Sequence, residues 1–213
     1  MNWIYETPEE IERRSFEIIR KELTPDRLLP DPALCAILLR VIHATADFSY
    51  AETFCASEGA VGRATEALRN GASIVTDTRM AMAGIDKKRL ENFGGGVFCF
   101  ISDDDVAQAA KENGTTRAFA AMDKAAGLGR PLIFAIGNAP TALGHVCDLS
   151  RQGILKPLLV IGAPVGFVNV VESKELLMAG DVPYITVKGR KGGSTVAAAI
   201  CNALLRLAGD SSP

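Results

Sequence analysis

Five short apolar runs recur through the C-terminal part of the 213-residue chain: Ala72–Thr76, Val97–Ile101, Leu132–Ile136, Leu158–Ile161 and Tyr184–Val187. Each is about five residues long and rich in Val, Ile or Phe. Apolarity is continuous within them, not alternating. That is the signature of a strand covered on both faces, because neither side meets water. Polar and Ala-rich stretches with helical character accompany them, at Asp86–Asn92, Asp103–Asn113, Ala118–Ala126, Thr141–Gln152, Ser173–Ala179 and Ser194–Leu207. Such alternation predicts an α/β fold built on a doubly wound parallel sheet of five strands, whose order the sequence leaves open.

The first 70 residues read differently, as an N-terminal helical region. Thr7-Pro8-Glu9-Glu10 offers a capping Thr, then Pro at the first helical position, then two acids favoured by the helix dipole. Ile11, Phe16, Ile18 and Ile19 follow at helical spacing up to Glu22. Pro30-Asp31-Pro32 opens a second helix running to Thr45, and Ser57–Asn70 makes a third, ended by Asn70-Gly71. The length suits a single domain spanning residues 1–213. Five parallel strands would make the sheet flavodoxin-like.

Charge and composition exclude several classes. With 23 basic and 25 acidic residues the net charge is -2, without the basic excess of a general nucleic-acid binder. No apolar run approaches the roughly 18–20 residues that span a bilayer, and the segment beginning MNWIYETPEE lacks the apolar core of a signal peptide. The five cysteines, Cys35, Cys55, Cys99, Cys147 and Cys201, show no CxxC pair, which predicts reduced thiols and a cytoplasmic protein. Neither His43 nor His145 has a Cys or His at ligand spacing, so no metal site is expected.

In open α/β sheets ligands bind beyond the carboxyl ends of the strands. Those positions here hold Thr76–Met80, Gly137–Thr141, Gly162–Asn169 and Gly189–Ser194. Each is an ordinary turn composition by itself; four on one edge suggest a crevice. Gly189-Arg190-Lys191-Gly192-Gly193-Ser194 leads into a helix with Ser194 as its expected N-cap, and glycine amides with Arg190 and Lys191 suit a carboxylate or phosphate. It is not a Walker A loop, because Lys191 precedes the double glycine, and Gly94-Gly95-Gly96 opens no helix. Nucleotide binding thus lacks a positive motif.

His43 is the candidate acid/base, since imidazole titrates near neutrality. Arg40 is three residues earlier and shares its helix face. Asp47, four residues later, would orient the ring if the helix continued. The plain alternative is a capping or satisfied core histidine, and for His145, on an apolar helix, that alternative is the stronger one. Arg117, before an Ala-rich helix, is either a solvated helix start or a carboxylate clamp. Ser15 says nothing by itself. Asp103-Asp104-Asp105 reads as an acidic first helical turn.

Four segments occur in order: Arg40-Val41-Ile42-His43-Ala44-Thr45-Ala46-Asp47-Phe48, Ile136-Gly137-Asn138-Ala139-Pro140-Thr141-Ala142-Leu143, Gly162–Asn169 with Glu172-Ser173-Lys174, and Gly189–Ser194. Together they make the chain closely resemble the precorrin-8X methylmutase family, which includes the cobalt-precorrin-8 methylmutases, from about Tyr5 to Leu205. The resemblance implies a flavodoxin-like sheet and a homodimer with its tetrapyrrole site near the subunit interface. It implies an isomerisation in cobalamin biosynthesis, moving a methyl group from C-11 to C-12 of the corrinoid ring. No cofactor is implied; any cobalt arrives with the substrate. The family's catalytic histidine matches His43, as proton donor and acceptor. Its substrate-contacting positions match Ser15, Arg40 and Arg117. Loop chemistry adds Lys191 and Ser194 as anchors for the acid side chains. Where the family often has Ser after the Thr-Arg pair, this chain has Ala118, which removes a hydroxyl. Two other classes compete with the enzyme: a non-catalytic corrinoid carrier, against which His43 speaks, and a phosphate-binding enzyme.

Overall fold

The computed structural model describes residues 7–24 and 28–209. Tyr5, where the resemblance begins, the first residues of the segment read for a leader, and the ends of the 1–213 domain lie outside them. The elements in order are α1 (Pro8–Glu22), α2 (Pro32–Thr45), α3 (Tyr50–Thr53), β1 (Phe54–Ala56), α4 (Ala60–Arg69), β2 (Ser73–Thr76), α5 (Arg79–Gly84) and α6 (Lys87–Asn92). There follow β3 (Val97–Phe98), α7 (Asp104–Glu112), α8 (Arg117–Ala126), β4 (Leu132–Ile136), α9 (Pro140–Arg151), β5 (Leu159–Gly162), α10 (Val170–Met178), β6 (Tyr184–Val187) and α11 (Ser194–Gly209).

The sheet has six strands in the order β1-β6-β5-β4-β2-β3. The five expected strands are all parallel to their neighbours, and β1 adds to the β6 edge antiparallel, with Cys55 opposite Thr186. The expectation of five strands is therefore corrected to six. Counted without β1, the order is 2-1-3-4-5, one of the common doubly wound arrangements, and the order reverses between β2 and β4.

Two apolar layers hold the sheet. Ile74, Ile133, Ala135, Ile161, Ile185 and Val187 pack under α1, α2, α4 and α11. Val75, Leu132, Phe134, Ile136 and Val160 point to the other face, under α7, α8, α9 and α10. Successive strand residues thus serve opposite cores, which explains why the runs do not alternate.

Local chemistry sets the helix ends. Thr7 and Glu10 cap each other at the start of α1, and the Asp31 carboxylate accepts from the amides of Ala33 and Leu34 at the start of α2. α2 ends at Ala46, a non-glycine residue at φ 52°. Two short helices, α3 and α5, were not expected, and the third expected helix begins at Ala60, later than Ser57.

Candidate functional site

The turn after β2 and the turn after β4 meet where the strand order reverses. Asp77 is buried there, and its carboxylate accepts from the amides of Gly137, Asn138 and Ala139 at 2.8, 2.8 and 2.6 Å. Burial raises its pKa above the ordinary carboxylate value, and the three amide donors offset part of that rise. The Thr78 hydroxyl lies 2.7 Å from that of Ser194. Gly137 must be glycine, because a Cβ would come within 2.7 Å of Ser194 Cα. A Cβ at Gly192 would overlap the Ala163 carbonyl. These contacts give the glycine motifs a physical meaning: three loops and the start of α11 are in backbone contact.

Ser194 is the first residue of α11, and the Gly193 carbonyl accepts the first helical bond from Ala197. The expected N-cap is thus corrected by one position. The Ser194 hydroxyl faces Thr78, and a hollow of about 360 Å³ opens beside it, with Ala44, Met80, Gly84 and Asn202 in its wall.

Lys191 Nζ donates to Asp47 at 2.6 Å and to the Ser49 hydroxyl at 2.8 Å. The bond from Lys191, followed by hydrogen bonds from the Ser49 hydroxyl and amide, lowers the Asp47 pKa to about 2. The helix does not continue to Asp47, so the expected role of that residue in orienting His43 is replaced by this tie. The chain before α3 is thereby joined to the loop after β6. Lys174, buried on α10, holds the same loop from below, donating to the carbonyls of Gly189 and Lys191 at 2.7 Å each. Burial lowers its pKa to about 8.

His43 lies near the end of α2 and is exposed. It opens into a cleft of about 560 Å³ bounded by Pro8, Glu9, Ile11 and Glu12 of α1 and by Arg206 of α11. Its ring is 5.3 Å from that of Phe16, and the Arg40 guanidinium lies 5.0 Å from the same ring. Arg40 also binds Glu12 at 2.6 Å, which, with Arg206, holds the Glu12 carboxyl below the ordinary value. The arrangement is an imidazole and a guanidinium that share the Phe16 ring as a common neighbour. It can deliver a proton to an anionic guest held by the cation.

The remaining expected residues are dispersed. Ser15 donates to the Ile11 carbonyl within α1 at 2.8 Å. Arg117 is exposed at the start of α8, near the β4 turn through the contact between Thr116 and Thr141, but in the opposite helical layer from His43. His145 pairs with Asp123 at 2.6 Å and stacks on Phe119, so it is a satisfied histidine. Sequence reasoning missed Asp77 and Lys174 as loop anchors, although both lie in quoted segments. It also missed Glu12 and Arg206. Met80, Val165, Phe167 and Val168 are exposed apolar side chains on the carboxyl edge. Among the described residues, no group of His, Cys, Asp or Glu could hold a metal ion, and no helix is long and apolar enough to cross a membrane.

A family model described as precorrin-8X methylmutase matches residues 10–207. The cobalt-precorrin-8 methylmutase of Priestia megaterium is 45% identical over 201 residues, covering 94% of this chain and 88% of that one. The precorrin-8X methylmutase of Pseudomonas aeruginosa is 40% identical, covering 91% and 93%. A crystal structure of precorrin-8X methylmutase from Thermus thermophilus superposes with a TM-score of 0.87 at 42% identity, covering 95% of this chain and 97% of that one. The match spans the sheet, both helical layers and the four motif segments, and the chain belongs to the precorrin-8X methylmutase family of isomerases.

Proposed function

We propose that this single methylmutase domain moves a methyl group from C-11 to C-12 of precorrin-8X or cobalt-precorrin-8, giving hydrogenobyrinic acid or cobyrinic acid. The observation that carries the reading is His43 itself: an exposed imidazole in an open cleft, one helical turn from a guanidinium. In this reading His43 protonates, or hydrogen-bonds to, the ring system near the migrating methyl. Positive character there lowers the barrier to a formal 1,5-sigmatropic shift. The proton then returns to His43, so the reaction is an isomerisation with no net proton change. Cobalt, where present, travels with the substrate.

Other groups have matching chemistry. Arg40 and Arg117 supply guanidinium forks for acetate and propionate side chains. Lys191 and Ser194 lie in the loop after β6 and at the start of α11, and Ser15 lies one residue from Phe16 on α1. Phe167, 83% exposed, lies under the Arg190 guanidinium at 5.5 Å. With Met80, Val165 and Val168 it offers apolar surface for a macrocycle face. We further propose a homodimer with the site near its interface, since His43 and Arg117 lie in opposite layers of one chain. The five cysteines are free thiols, in keeping with a cytoplasmic enzyme.

The test is anaerobic incubation of the purified protein with precorrin-8X and, separately, cobalt-precorrin-8. The absorbance change is followed and the product assigned by NMR. Conversion of either supports the methyl shift, and the better substrate names the branch. Binding of both without conversion would overturn it in favour of a corrinoid carrier.

A further inference from the structure

A second hollow, of about 240 Å³, adjoins the His43 cleft on its α11 side. Arg40, Arg89 and Arg206 surround it, over a floor of Ala36, Ala203 and Leu207. Arg206 lines both spaces. Glu12 lies between them, accepting from Arg40 at 2.6 Å and from Arg206 at 3.3 Å. Among the described residues, the third arginine, Arg89, has its ion-pair contact with Asp86, at a long 3.6 Å. Three guanidinium groups, each with five N–H donors, thus face one closely bound carboxylate.

Arg206 is not there to complete its own helix. The carbonyls at the end of α11, Leu207 and Ala208, are taken by Arg69 at 3.2 and 2.9 Å. Arg206 instead reaches across to α1. The floor beneath the arginines is apolar, formed by Ala36, Ala203 and Leu207. Glu12 shows that a carboxylate fits between Arg40 and Arg206, and the longer of its two bonds is the one to Arg206.

We propose that Arg206 and Arg89 extend Arg40 into a carboxylate subsite that takes one acid arm of the substrate, and that Glu12 holds this subsite until the arm arrives. The inference rests on the assignment of the His43 cleft as the corrinoid site. An incoming carboxylate replaces Glu12 on Arg206 with like charge, and Arg89 adds a partner that Glu12 does not use. A neutral amide arm could not make that exchange, because it would leave the guanidinium groups without a counter-charge. The subsite therefore selects corrinoids whose arm is a free acid.

The experiment measures the dissociation constant of cobyrinic acid, and KM and kcat for cobalt-precorrin-8, in the full-length protein and in R206M, R89M and E12Q. Thermal unfolding checks that each variant is folded. R206M should raise Kd and KM by about tenfold or more, with a much smaller change in kcat, and should flatten the salt dependence of binding. R89M should raise Kd several-fold. E12Q removes the internal competitor and should tighten binding several-fold, the opposite of what loss of a purely structural ion pair would do. If R206M does not fold, R206K and E12Q carry the test, with R206K intermediate. Unchanged Kd in R206M and R89M, or weaker binding in E12Q, would overturn the subsite while leaving wild-type turnover, and hence the methyl shift, intact. Failure of the wild type to bind cobyrinic acid or to turn over would instead remove the corrinoid-site assignment.

Discussion

At the scale of the residue, a few charged groups organise the molecule's surface, and their partners define their roles. Arg40 is both an ion-pair partner of Glu12 and the cation over Phe16, whose ring also meets His43. Arg40→Ala should weaken corrinoid binding by roughly 1.5–3 kcal/mol, the worth of one charge-assisted hydrogen bond, measured by titration; an unchanged dissociation constant would mean that the guanidinium never meets the substrate. Lys174 and Asp47 both make stability rise with pH, in two separate windows. The folded-state pKa of Lys174, about 8, lies below its ordinary 10.5. The unfolded chain therefore binds more protons in that window, and the group's contribution to stability rises as pH climbs from 8 to 10.5. The stability difference between wild type and Lys174→Met should shift in the same direction in urea unfolding across that range. Asp47, held near 2 against an ordinary 3.8, contributes stability above about pH 4 that is lost as pH falls toward 2. Lys191→Met should flatten that acid loss, and an identical acid profile would show the tie to be energetically silent.

At the scale of the element, α2 carries the chemistry on one face and buries the other. Ile37, Leu38, Val41 and Ile42 are in the core, while Arg40 and His43 look outward. The helix stops abruptly at Ala46 in the left-handed region, which costs an L-residue roughly 1–2 kcal/mol. Ala46→Gly should raise stability by up to about 1 kcal/mol in denaturant titration after the extra entropy of unfolded glycine is counted; a loss would mean that the methyl group makes contacts outweighing the strain. The loop between β5 and α10 exposes Phe167 and Val168. Phe167→Ala should leave unfolding within about 0.5 kcal/mol of wild type, as for a surface position, yet weaken corrinoid binding. Unaltered binding would place the macrocycle elsewhere.

At the scale of the whole molecule, the parallel sheet was legible because each central strand is buried on both sides and so leaves an uninterrupted apolar run. β1 was not, because Phe54–Ala56 is three residues long and gains its meaning only from pairing with β6. The adjacency of Arg40 and His43 could be read from helical spacing alone. The Glu12 contacts could not, since its partners Arg40 and Arg206 are 28 and 194 residues away along the chain. Arg117 carries the same lesson: local sequence marks it as a helix start, and only the fold shows that it lies in the other layer. The central claim concerns one proton donor in that framework. The most direct measurement compares single-turnover conversion and corrinoid affinity in wild type and His43→Ala, anaerobically, with cobalt-precorrin-8 and precorrin-8X. Conversion should fall by about 100-fold or more, the usual worth of a positioned general acid–base group, while the fold and the affinity for cobyrinic acid are retained. Conversion by His43→Ala at the wild-type rate would contradict the account.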